Sequence, residues 1–258
     1  MARVSLAVGV ALALAPAAHA ATASIDYQVG APRGEPVTAA AFLSYTAAPG
    51  ETNDLTVSFD AGHWVFHDAG ATISVNNCTK VDDHTADCAA GDGPIYDGGE
   101  NLGLHGVTIN LGDGDDTLIA QPLSRGIAAD VRGGTGNDTL TGTGAIFNSS
   151  PRLSGGDGDD VLGSGAGDDT LEGGPGADTI DGGAGNDRLG GGAGTDKLIG
   201  GDGRDYLSAG GPAEGDTYDG GPGTDWVNYT GTGAALRIDI AQQTVSNGDT
   251  ITARARTS

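Results

Sequence analysis

Residues 155–208 read GGDGDDVLG, SGAGDDTLE, GGPGADTID, GGAGNDRLG, GGAGTDKLI and GGDGRDYLS, six consecutive blocks of nine. The sixth residue of every block is Asp: Asp160, Asp169, Asp178, Asp187, Asp196 and Asp205. The eighth is always apolar: Leu162, Leu171, Ile180, Leu189, Leu198 and Leu207. A short fixed period of this kind specifies a solenoid, in which each unit buries its apolar residue only against its neighbours. A structureless Gly/Asp linker has no reason to keep an apolar side chain at every eighth place.

The paired glycines supply positive-φ conformations without steric penalty, so the first part of each block reads as a tight loop. The end of each block, as in Thr179-Ile180-Asp181, is too short for a helix and suits a stub of strand. Stacked strands lie about 4.8 Å apart, which brings the Asp carboxylates of successive loops into line. Two like charges at that spacing repel by about 3.5 kcal/mol at an effective dielectric of about 20. The ladder therefore requires a cation. Carboxylates with main-chain carbonyls, and no His or Cys, form an all-oxygen donor set that suits a hard ion and favours Ca2+ over zinc.

These blocks resemble the hemolysin-type (RTX) calcium-binding repeats of secreted bacterial proteins. The resemblance implies that two nonapeptides make one turn of a parallel β-roll built from two sheets. It also implies several Ca2+ ions lying between loops two repeats apart, held by the sixth-position Asp and nearby Gly-rich carbonyls. Many such proteins carry an uncleaved C-terminal export signal. Here residues 1–20 instead read as a cleavable secretory signal peptide, with Arg3, the apolar stretch Val4 to Ala15 and the small-residue site Ala18-His19-Ala20. This departure weakens any analogy with pore-forming toxins.

The blocks start before the regular run and continue after it. Leu111 to Ile119 and Gly133 to Thr141 are isolated copies with Asp116 and Asp138 in the sixth place. Downstream, Ala209 to Asp219 is stretched to eleven residues, with Asp216 and Tyr218 in the equivalent places. Gly220 to Asn228 restores the pattern with Asp225 and Val227. Asp residues on one edge of a two-block turn recur every 18 positions, whereas Asp116, Asp138 and Asp160 are 22 apart. That interval fits one full coil plus four extra residues, which predicts a long row, Asp116, Asp138, Asp160, Asp178, Asp196 and Asp216, on one edge. A shorter row, Asp169, Asp187, Asp205 and Asp225, is predicted on the other. The intervening halves, Gln121 to Ala129 and Gly142 to Pro151, carry no such box and offer only plain strand.

Residues 21–106 differ in composition. Val37 to Tyr45, Leu55 to Phe59, Trp64 to Phe66 and Thr72 to Val75 are strand candidates, punctuated by Pro49-Gly50 and Ala61-Gly62. The expectation is a small β-rich domain that caps the solenoid. Cys78 and Cys88 are the only cysteines, and in an exported chain they are expected to form a disulfide. A metal site with His84 lacks ligands. His63 and His67 are four apart, but Trp64 stands where a zinc-protease helix needs Glu, so they read as surface residues. No nucleophile elbow or triad spacing is present, and the Gly-rich loops place Asp where a phosphate would approach.

With 35 Asp and Glu against 12 Lys and Arg the net charge is −23, which repels nucleic acid. No segment after the leader approaches the length of a membrane span. The expected organisation is all-β: signal peptide 1–20, capping domain 21–106, calcium-binding parallel β-roll 107–228 and a C-terminal β cap 229–258. The expected function is a secreted calcium-binding module without catalytic activity, structural or surface-associated, with a cell-surface glycan or protein as its further partner. The competing expectation is a calcium-dependent secreted hydrolase or adhesin whose roll only assists folding outside the cell.

Overall fold

The computed structural model describes residues 20–30, 38–60, 63–76, 78–89, 104–120, 128–142, 152–213, 215–229, 237–238 and 252–255. Residues 1–19, where a signal peptide is expected, the halves at 121–127 and 143–151, and most of 229–258 lie outside the described residues. Every element described is a strand, and the repeats form a parallel β-solenoid of about five turns.

The N-terminal strands are β1 (Ala21–Gly30), β2 (Thr38–Thr46), β3 (Asp54–Asp60), β4 (His63–Asp68), β5 (Ile73–Asn76), β6 (Thr79–Lys80) and β7 (Thr85–Ala89). The next strands are β8 (Leu104–Asp113), β9 (Thr117–Ala120), β10 (Ala128–Thr135), β11 (Thr139–Gly142), β12 (Arg152–Asp157) and β13 (Val161–Gly163). The regular run supplies β14 (Thr170–Pro175), β15 (Thr179–Gly185), β16 (Arg188–Gly194), β17 (Lys197–Gly203) and β18 (Tyr206–Ala213). It is followed by β19 (Thr217–Asp219), β20 (Trp226–Tyr229), β21 (Arg237–Ile238) and β22 (Thr252–Ala255).

Even-numbered strands from β8 to β22 stack in one sheet, and odd-numbered strands from β9 to β21 stack in the other. The register is in phase: Leu153 faces Leu171, Leu171 faces Leu189, and Leu189 faces Leu207 across parallel pairs. One apolar side chain per half-coil is enough because each is sealed by the copies above and below; Leu162, Leu171, Ile180, Leu189, Leu198 and Leu207 are all buried. Strands in the run are longer than the stubs expected from sequence. The ladder of β15 with β17 continues through Gly183, Ala184 and Gly185, since residues without a large side chain let the backbones stay in register past the apolar positions.

Residues 21–89 extend both sheets. β2 pairs in parallel with β8 and β3 with β9, so β2 and β3 together form one more coil. β1 then adds antiparallel to β2, and β4 antiparallel to β3, which ends the parallel stack. The interior here is larger-grained than in the repeats: Tyr45, Trp64, Phe66, Leu43, Leu55 and Ile109 are fully buried, with the Tyr45 and Phe66 rings 6.0 Å apart. β1 itself, a ten-residue strand, was not among the strands expected from sequence.

Cys78 and Cys88 are joined in a disulfide that ties the end of β7 to the loop before β6. Alkylation of the native protein without reduction is expected to label neither sulfur in mass spectrometry; two labelled cysteines would remove the bond. His63 and His67 point outward from β4 and each meets a β7 side chain, Asp87 at 2.9 Å and Thr85 at 3.0 Å. His84 uses Nδ1 on the carbonyls of Ala71 and Asp68, at 2.8 and 2.9 Å, so it braces a loop, while both cysteines are taken up in the disulfide.

Candidate metal centre

Each coil crosses from the first sheet to the second at one edge and returns at the other. The sixth-position Asp lies at the end of each crossing, just before the strand, where its backbone N–H points forward to the following coil. On the first edge Asp116 N–H donates to Asp138 Oδ1 (2.9 Å), Asp138 N–H to Asp160 Oδ1 (2.8 Å), and Asp160 N–H to Asp178 Oδ1 (2.9 Å). The chain of bonds continues from Asp178 to Asp196 (3.0 Å) and from Asp196 to Asp216 (2.9 Å). On the second edge Asp169 N–H donates to Asp187 (2.8 Å), Asp187 to Asp205 (2.8 Å) and Asp205 to Asp225 (3.0 Å). Asp116 and Asp138 therefore share the edge of Asp160, and the two rows have the unequal lengths that the 22-residue spacing predicts.

These bonds employ only one oxygen of each carboxylate. Oδ2 of Asp116, Asp138, Asp160, Asp178, Asp187, Asp196 and Asp205 is buried and without a hydrogen-bond donor. A buried, unpaired carboxylate oxygen is costly and points to a missing electropositive group. Where the first residue of the block is Gly, its missing side chain supplies the space. A Cβ built on Gly133 would lie 2.1 Å from Asp138 Oδ2 and 2.6 Å from the Gly155 carbonyl oxygen of the next coil. The same pair recurs at Gly173 (Asp178 Oδ2, Gly191 O), Gly182 (Asp187 Oδ2, Gly200 O) and Gly200 (Asp205 Oδ2, Gly220 O). Each cradle thus gathers a carboxylate oxygen of one coil and a carbonyl oxygen of the next.

Among the described residues, no three His, Cys, Asp or Glu side chains converge on one point. A cation here would be held by stacked carboxylates and main-chain oxygens alone. That donor set fits Ca2+, which takes many hard oxygen ligands in flexible geometry. The electrostatics agree. Burial, followed by repulsion from Asp116, Asp160 and Asp115, pushes the Asp138 carboxyl up to about 7. Burial, with Asp196, Asp160 and Asp159 nearby, raises Asp178 to about 7. Burial, with Asp169, Asp205 and Asp168, raises Asp187 to about 7. Asp169 rises to about 6, and Asp116, Asp160, Asp196 and Asp205 shift upward for the same first reason, burial.

The fifth place of the block carries a second ladder that its mixed composition hides in the sequence. Asn137 N–H donates to Asp115 Oδ1 (2.8 Å), Asp159 N–H to Asn137 Oδ1 (2.8 Å) and Ala177 N–H to Asp159 Oδ1 (2.7 Å). On the other edge Asn186 N–H donates to Asp168 Oδ1 at 2.7 Å. This exposed ladder runs in the opposite sense to the buried one, with the earlier coil accepting. Its signal was present as Asp or Asn recurring at the same spacing as the sixth place. Two further polar residues, Asn53 and Tyr218, touch the ends of the long row. Asn53 belongs to no recognisable block, and Tyr218 reads in the sequence only as the eighth-place apolar residue of the stretched block.

In comparison with known proteins, the family model of the RTX calcium-binding nonapeptide repeat matches this chain at residues 130–145, 154–189, 164–198 and 182–211. No curated protein and no solved structure matches it.

Proposed function

Because the chain carries RTX calcium-binding nonapeptide repeats within a parallel β-solenoid, we propose that it is a secreted, non-catalytic module that folds around two unequal rows of calcium ions. The observation that carries this reading is the repeated pairing of an orphaned Asp Oδ2 with a main-chain carbonyl of the next coil. The ligand residues are Asp116, Asp138, Asp160, Asp178, Asp196 and Asp216 in the long row, and Asp169, Asp187, Asp205 and Asp225 in the short one. When bound, calcium would supply the positive charge that lets stacked carboxylates stay ionised at neutral pH. The residues themselves set register: Oδ1 of Asp138, Asp160, Asp178, Asp196, Asp187 and Asp205 fixes the coil behind it, while Gly at the first position keeps the cradle open.

Export is supported by the leader pattern of residues 1–20 and by the disulfide, since such bonds persist in oxidising compartments. The non-catalytic reading is supported by how four polar side chains of the described N-terminal residues are engaged. Tyr45, Asn53, Asp68 and His84 are bound to one another and to backbone. A cell-surface glycan or protein remains the further partner in this reading, to be sought by pull-down with the calcium-loaded protein.

The direct test is Asp138→Ala. Asp138 lies between two neighbours in the long row, so native mass spectrometry in calcium should show up to two ions fewer. The short row, on the opposite edge, should keep its ions. An unchanged ion count would sink the assignment of Asp138 as a ligand.

A further inference from the structure

The coil formed by β2 and β3 has no Asp in the sixth place. Between the register pairs Thr46–Asn110 and Asp54–Thr117 it has one residue more (47–53) than the next coil (111–116), and this stretch ends on Asn53, which is 1% exposed. Asn53 nevertheless occupies the next place in the long row. Its backbone N–H donates to Asp116 Oδ1 at 2.6 Å, and its carbonyl accepts from Thr117 N–H at 2.8 Å. Asp116 and Thr139 repeat the same two bonds one coil on. The side chain is what differs. Where Asp138 and Asp178 set Oδ2 beside the first-position carbonyl of the following coil, Asn53 sets Nδ2 beside the equivalent carbonyl, that of Leu111. Oxygen against oxygen needs a cation, whereas an amide N–H bonds directly. Nδ2 donates to Leu111 O at 3.1 Å and to Asp116 Oδ1 at 3.0 Å.

The Asn53 side-chain oxygen is met from within the protein. The Tyr45 hydroxyl lies between Asn53 Oδ1, at 3.0 Å, and the Asp68 carboxylate, to which it makes its shorter bond. The other Asp68 oxygen accepts from the N–H groups of Asp54, Gly70 and Ala71. At the far end of the row, Tyr218 donates its hydroxyl to Asp216 Oδ2 at 2.9 Å. A side-chain donor thus stands at each end of the long row, and orphaned Oδ2 atoms fall between them.

We propose that Asn53 is a built-in substitute for calcium: its amide closes the N-terminal end of the long row, so the coil of β2 and β3 on β8 and β9 is complete without the ion. The inference rests on the calcium reading of the row and names its boundary. Calcium sites would begin between Asp116 and Asp138, and the coil before them would be the ion-independent surface on which the first calcium-bound coil stacks. The large apolar interior around Tyr45, Trp64 and Phe66, and the nearby disulfide, equip that coil to stand without metal.

Two measurements on the full-length chain test it, with calcium chloride as the probe. Asn53→Asp restores the carboxylate and should bind one more ion than the unaltered protein in native mass spectrometry. Asn53→Ala, lacking donor and carboxylate, should gain none. In EGTA, hydrogen exchange of the unaltered protein should leave residues 43–57 and 107–118 protected, and Asn53→Asp should lose that protection until calcium is added. An equal ion count in Asn53→Asp, its failure to fold even in calcium, or unprotected 43–57 in the unaltered protein in EGTA would each overturn the proposal. An unaltered protein that binds no calcium at all would instead overturn the parent reading, and the exchange measurement in EGTA does not depend on it.

Discussion

Stripped of calcium at pH 7.5, the coils from β10 onward are expected to lose their β signal in circular dichroism, and acidifying the same sample to about pH 5 is expected to restore part of it. The sign follows from the buried carboxylates. Asp138, Asp178 and Asp187 are raised from the ordinary 3.8 to about 7 in the folded chain, chiefly by burial. Between those values the folded form binds more protons than the unfolded one, so the metal-free fold loses stability as pH rises from about 4 to about 7. A proton on Asp removes the charge that its neighbours in the row oppose. With calcium present the dependence reverses, because protons compete with the ion for the same oxygens and apparent affinity falls on acidification. Opposite pH trends with and without calcium are the diagnostic outcome. Parallel trends, or a β signal indifferent to EGTA at pH 7.5, would dissociate the Asp rows from folding.

The second large effect concerns the backbone that builds the cradles. Gly156 has φ +123°, and a Cβ there would lie 1.9 Å from the Gly134 carbonyl oxygen of the preceding coil. Gly156→Ala combines a disfavoured dihedral, costing about 1–3 kcal/mol, with an overpacked contact costing about 1–3 kcal/mol more. If folding and calcium binding are coupled, a loss of about 4 kcal/mol weakens overall binding by roughly a thousandfold. The calcium titration midpoint in circular dichroism should therefore rise steeply, or the transition should vanish. Gly163 is the matched control. It lies in β13 with nothing within 4 Å of its Cβ position and no left-handed dihedral, so Gly163→Ala should change stability by no more than about 0.5 kcal/mol. Equal effects at the two sites would mean that glycine is present for composition and not for the close approach of successive coils.

Both experiments depend on a pattern that was legible before any coordinate. An Asp at each sixth place and a Leu or Ile at each eighth specify stacked units with a buried apolar row and an aligned acidic one, and the resemblance to RTX repeats implies that each nonapeptide is half a turn. On that turn, the 22-residue spacing of Asp116, Asp138 and Asp160 fits one full coil plus four extra residues, and the structure stacks the three on one edge. The strands at 37–45, 55–59, 64–66 and 72–75 were legible too, from Val-, Thr- and Tyr-containing stretches between turn residues.

What the sequence could not convey is how that region meets the repeats. Whether β2 and β3 form a separate unit or one more coil is decided by pairing β2 with β8 and β3 with β9, partners more than fifty residues away along the chain. Asn53 is an ordinary loop residue until that pairing stacks it on Asp116. Tyr218 is an irregular apolar position until its hydroxyl falls beside Asp216. Periodicity reports interactions that every copy repeats. The ends of a row are by nature the places where repetition stops, so only the tertiary structure decides which side chains close them.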